Sequence, residues 1–132
     1  MRDENCIFCK IANGEIPSAT IYEDDDFRVI LDLGPATKGH ALILPKEHAA
    51  DIYSIDEELA GKAFKLAKKI TTRLKDVLGC DGYNIVQNNG EVAGQTVFHF
   101  HMHLNDKSGF GWKPGKLTDE DRDEILEKLK EK

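Results

Sequence analysis

Between Phe98 and Leu104 apolar residues and histidines alternate without a break: Phe98-His99-Phe100-His101-Met102-His103-Leu104. A period of two belongs to an extended strand, whose successive side chains point to opposite faces. The pattern predicts a long strand over residues 96–104, with Phe98, Phe100, Met102 and Leu104 turned into a core. His99, His101 and His103 then share the other face. Such a strand cannot stand alone, because its edges need hydrogen-bonded neighbours and its apolar face needs a covering layer. The chain must therefore build a sheet with one dry face and one face rich in imidazole.

The rest of the sequence supplies the neighbours and the cover. Residues 19–22 and 27–33 read as strands joined by the solvated turn Glu23-Asp24-Asp25-Asp26, and Gly34-Pro35 stops the second. Residues 40–44 form a third strand, ended by Pro45. Ser54 and Glu57 have the capping-box spacing. Leu59, Ala63, Leu66, Ile70, Leu74 and Val77 then recur every three or four residues up to Gly79. That periodicity predicts an amphipathic helix of about six turns. Asp81-Gly82 marks a turn, residues 83–87 a strand and residues 88–94 a glycine-bearing loop, while three glycines and Pro114 make residues 105–115 irregular. From Thr118 acids open a short helix with Ile125, Leu126 and Leu129 on one side, and lysines close it, as the helix dipole favours. No βαβ alternation is present. The expected class is α+β: an antiparallel sheet of about five strands with one long and one short C-terminal helix, as one domain over residues 1–132.

Charge narrows the partners. The chain carries 18 Lys and Arg against 24 Asp and Glu, a net of −6. Seven acids against four bases lie within residues 118–132, so half of the excess sits in the tail. That balance argues against a nucleic-acid polymer as ligand but not against one nucleotide. The sequence holds neither an apolar run of membrane-spanning length nor a signal peptide, so a cytoplasmic protein with no membrane partner is expected.

Three histidines on one strand face are not needed for packing. They suit either a three-histidine metal site or a phosphate site using imidazole as nucleophile and donor. Asn88, Gly94, Gln95 and Thr96 lie just upstream. Amides and a hydroxyl can donate to phosphate oxygens, and glycines allow close backbone approach. That apparatus favours a nucleotide or phosphate ester. Cys6-x-x-Cys9 has three readings: a redox pair, which lacks its βαβ context, two unrelated buried cysteines, or half of a tetrahedral zinc site.

Nearly the whole chain resembles the histidine triad family, whose motif is His-φ-His-φ-His-φ-φ with φ hydrophobic. The likeness rests on Cys6-Ile-Phe-Cys9-Lys-Ile11, Glu15-Ile-Pro17, Asp32, Gly39-His40-Ala-Leu-Ile-Leu-Pro-Lys46, His48, Asn88 and Gly94-Gln-Thr-Val-Phe-His99. Phe110-Gly-Trp112-Lys-Pro-Gly115 is similar to the C-terminal motif of the Hint branch, the nucleoside phosphoramidases. The last φ is replaced by Asn105.

The resemblance implies a purine nucleoside 5′-phosphoramidase, or a hydrolase of related nucleoside monophosphate conjugates, with His101 as nucleophile at the α-phosphorus and a covalent nucleotidyl-histidine intermediate. By the same likeness His103 donates to the phosphate and His40 supports the triad. Asp32 takes the ribose hydroxyls, and Asn88, Gly94, Gln95 and Thr96 line the phosphate and leaving-group side. Phe8, Ile11 and Ile16 form the purine slot. Cysteine-bearing members of this branch hold one structural zinc, which the resemblance assigns to Cys6, Cys9, His48 and His99. It also implies a homodimer with Trp112 near the neighbour's site. A dinucleoside polyphosphate hydrolase and a nucleotide-binding regulatory protein with incidental catalysis are the alternatives.

Overall fold

The computed structural model of the chain describes residues 3–106 and 115–130. In chain order its elements are α1 (Ile7–Ala12), β1 (Thr20–Glu23), β2 (Phe27–Leu31), β3 (Ala41–Pro45), α2 (Glu57–Leu78), β4 (Asn84–Val86), a single 3₁₀ turn over Glu91–Ala93, β5 (Met102–Asn105) and α3 (Asp119–Lys130). The strands form one five-stranded sheet in the order β1-β2-β3-β5-β4, and every pairing is antiparallel. The expected α+β class and helix complement are present.

Alternation along the strands sorts the side chains into two layers. Phe27, Val29 and Leu31 of β2, Ala41 and Ile43 of β3, and Met102 and Leu104 of β5 pack with Ala63, Leu66, Ala67, Ile70 and Leu74 of α2 and with Ile125 and Leu129 of α3. The opposite set, Ile30, Leu42 and Leu44, packs instead with Ala12, Phe8 and Ile11 of α1. Among the described residues the sheet thus has α2 and α3 on one side and only the short α1 on the other. The functional side chains gather on that thinly covered side.

Several expectations are corrected. The strand predicted over 96–104 pairs only over Met102–Asn105, so Phe98 is not core and stands 51% exposed. Before Met102 the chain is held by other bonds, Phe100 N–H to the Ala49 carbonyl among them, and the two-residue period lapses there. Asn105, despite replacing a hydrophobic residue of the motif, ends β5 fully buried opposite Asn84. The cap of α2 is Asp56, whose carboxylate accepts the Glu58 and Leu59 N–H groups, while Ser54 bonds to Asp51. Strand β2 stops at Leu31, and Leu33 stands exposed beyond it. Helix α1 has too few residues to register as a periodicity. In the acidic turn Asp24 accepts the N–H groups of Asp26 and Phe27, which makes it an Asx turn.

Candidate active site

Two clusters lie side by side under α1, joined by the segment 99–103. In the first, His101 and His103 project from the start of β5 with ring centroids 4.9 Å apart, and the edge of Phe8 meets His101 at 5.0 Å. His101 is only 6% exposed. Its Nδ1 lies 2.6 Å from the His99 carbonyl, which can only accept, so Nδ1 carries the proton and Nε2 carries the lone pair. Burial pushes the His101 pKa down, against a rise from that carbonyl and from Asp32. Burial likewise takes His103 down to about 3, helped by the neighbouring imidazoles of His101 and His40. Both rings are neutral at pH 7. A neutral imidazole with one unprotonated nitrogen is what a nucleophile at phosphorus requires.

His40, at the entry to β3, completes this cluster. Its Nε2 lies 3.0 Å from His103 Nδ1 and 3.4 Å from Asp32 Oδ2, and its Nδ1 accepts the Ala36 N–H at 2.9 Å. Asp32 follows β2 and is fixed by Gly34 N–H on its other oxygen. Its partly exposed carboxylate therefore borders the two imidazoles and the solvent.

The loop before β5 delivers the upstream residues. Gly94 has φ +95, a left-handed value that a side chain would strain, and its carbonyl lies 3.5 Å from Asn88 Nδ2. Gln95 departs from the expected arrangement. Its side chain is buried, with Nε2 donating to the carbonyls of Ala50 and Val97 and Oε1 accepting Gly90 N–H. The amide thus staples the loop and has little left for a ligand. Thr96 is exposed, while Ile11 and Ile16 are half-buried. Trp112 lies outside the described residues.

The second cluster brings together Cys6, Cys9, His48 and His99, one donor atom from each lying within 4.8 Å of the others. Cys6 Sγ is 3.3 Å and Cys9 Sγ 3.4 Å from His99 Nδ1, and Cys9 Sγ is 3.4 Å from His48 Nδ1. A tetrahedral zinc with ordinary Zn–S and Zn–N bonds places such S···N pairs about 3.6 Å apart. The donors already stand near those corners. His99 gives its Nε2–H to the Pro45 carbonyl at 2.8 Å, which leaves Nδ1 unprotonated as a ligand must be. N–H groups of Asp3 and Cys9 point at the two sulfurs. Burial raises the Cys9 pKa, so a thiolate there calls for a cation. The four residues could hold a metal ion, and a soft thiolate–imidazole set suits zinc. All four positions would come from protein, so the ion would be a clamp rather than a reaction centre.

The HIT domain family model matches residues 13–107, a span that contains His40, His48 and all three triad histidines. The chain belongs to the HIT domain family. HIT relatives extend over most of its length. A Bacillus subtilis protein named Protein hit is 47% identical over 108 residues, which cover 82% of this chain and 74% of the relative. The adenosine 5′-monophosphoramidase of Saccharomyces cerevisiae is 41% identical, covering 96% of this chain and 84% of its own. A zinc-bound histidine triad family protein from Mycobacterium smegmatis superposes with a TM-score of 0.82 at 34% identity, covering 96% of this chain and 94% of that one.

What sequence reasoning missed in this HIT site is main chain: the carbonyls of His99 and Pro45 and the N–H of Ala36. No residue identity signals them, because every residue carries the same groups. Among the described residues no helix is long and apolar enough to cross a membrane.

Proposed function

We propose that the chain is a nucleotide hydrolase that cleaves purine nucleoside 5′-phosphoramidates, or related nucleoside monophosphate conjugates, at the α-phosphorus. The observation that carries this reading is the His101 ring, neutral and buried, with its Nδ1 proton donated to the His99 carbonyl and its Nε2 left unprotonated. In the first step Nε2 bonds to phosphorus, the P–N bond breaks and the amine departs with a proton drawn from solvent. Water then attacks the phosphorus of the nucleotidyl-histidine, the P–N bond to His101 breaks, and the nucleoside monophosphate leaves. Splitting one displacement into two lowers each barrier. His103 donates to the phosphate oxygens as charge builds there, and His40 supports it.

Asp32 accepts the ribose hydroxyls with a carboxylate at the solvent edge of the histidines. Asn88, Gly94 and Thr96 border the leaving group, and Gln95 serves by fixing their loop. Phe8, Ile11 and Ile16 receive the purine, with Trp112 contributing from a neighbouring subunit. One zinc per chain, held by Cys6, Cys9, His48 and His99, ties α1 to the segment that carries His101. The reading takes residues 1–132 as one HIT domain acting as a cytoplasmic homodimer; the relatives' similar length supports the first part. Incubation with an adenosine 5′-phosphoramidate tests the whole. Wild type should turn over and yield a nucleotidyl adduct on His101, while His101→Ala should lose at least about a thousandfold in kcat. Equal turnover by the variant would reject the mechanism.

A further inference from the structure

We propose that the main-chain N–H of Ala36 decides where the protons sit on His40 and His103, making Ala36 a positioning residue and the pair His40–His103 a directed hydrogen-bond chain instead of part of a second metal site. Ala36 lies in the loop between β2 and β3, and its N–H points at His40 Nδ1 from 2.9 Å. A ring nitrogen that accepts carries no proton. Burial keeps the His40 ring neutral, so its one proton is on Nε2, 3.0 Å from His103 Nδ1. His103, also neutral, accepts there and holds its own proton on Nε2. The reverse order would put a proton on His40 Nδ1, facing the Ala36 proton across the same 2.9 Å. The hydrogen-bond chain therefore has one direction, and it ends in a donor at His103 Nε2.

The same bond bears on metal binding. Asp32, His40 and His103 each offer a donor atom within 4.8 Å of the others, spaced 3.0, 3.4 and 3.9 Å apart. Those spacings match the edges of about 3.3 Å around a tetrahedral ion bound by nitrogen and oxygen. Distance alone would make this a second site. A metal on His40 Nε2, however, needs the ring proton on Nδ1, where Ala36 already donates. In the cysteine cluster His99 has the opposite arrangement, its remote nitrogen donating to the Pro45 carbonyl.

The purpose of the His103 proton rests on the hydrolase reading; its position does not. Long-range ¹H–¹⁵N spectra of histidine-labelled, zinc-loaded protein at pH 7 should show Nε2–H on both His40 and His103. An Nδ1–H on either would overturn that order. In Ala36→Pro, which lacks the N–H, both rings should populate the second tautomer while His101 keeps Nδ1–H; unchanged tautomers at His40 and His103 would overturn it. Should that variant not fold, the wild-type spectrum decides alone. Excess zinc should bind one equivalent and leave the His40 and His103 signals in place, and a second equivalent that shifts them would overturn the assignment. Expected tautomers in a protein that turns over no phosphoramidate would reject the hydrolase reading and leave the tautomer order standing.

Discussion

His103 ties the stability of the fold to pH in a direction that can be worked out from its surroundings. In the unfolded chain a histidine titrates near 6.5. In the fold burial and two neighbouring imidazoles bring His103 down to about 3. Between those values the unfolded chain binds a proton that the native ring refuses. Stability is therefore complete above about pH 6.5 and drains away as pH falls towards 3. Integrating the difference in bound protons from pH 7 to pH 5 gives about 2 kcal/mol for this residue. The ring is mostly shielded, its side chain 16% exposed, so solvent screening does not erase that figure. His40 and His101 are lowered as well and act in the same direction. Urea unfolding at pH 7 and pH 5 separates His103 from them through His103→Asn, which keeps an acceptor for His40 but cannot titrate. Wild type should lose about 2 kcal/mol more than the variant between the two pH values. Equal losses would refute the argument that His103 is held neutral by the fold.

Two further outcomes follow from the same geometry. On the proposed zinc assignment, elemental analysis should find one zinc per wild-type chain and none in Cys6→Ser, and the variant's urea midpoint should fall, since α1 then rests on its apolar contacts and the hydrogen bonds of Arg28 and Asn13 alone; a fully metallated variant would sink the four-ligand assignment. Gly39→Ala should cost about 2–4 kcal/mol, because φ at Gly39 is +90 and a methyl group would press on Leu78 and lie 2.9 Å from Tyr83 Oη. A change in urea stability below about 0.5 kcal/mol, the range of ordinary surface substitutions, would contradict that packing.

The sheet and α2 were legible because they follow from side-chain periodicity. Leu66, Ile70 and Leu74 face the core as their spacing predicts, and Phe27, Val29 and Leu31 alternate as a half-covered strand should. The four metal-binding candidates and the pairing of His101 with His103 also correspond to what motif and resemblance imply. Legibility failed where order comes from the main chain. Residues 96–101 read as strand from their alternation, yet the ladder begins only at Met102, because the Gln95 amide and the Ala49 carbonyl hold the segment in another course. Gln95 itself reads as a ligand-facing amide and is instead spent on three main-chain partners. Asp56 displaced Ser54 as the helix cap because both are good caps and two residues decide between them.

The peptide of His99 joins the two clusters, and its ring has two separate anchors. One is the group of sulfurs; the other is the Pro45 carbonyl, which needs no metal. The bond that orients His101 uses neither, only the His99 backbone oxygen. The two halves of the site are thus modular. A lineage could exchange its cysteines for other residues, keep the grip on Pro45, and pass the His101 arrangement on unaltered. Loss of the Pro45 acceptor geometry would be harder to tolerate, since it holds the ring in place whether or not the cysteines remain.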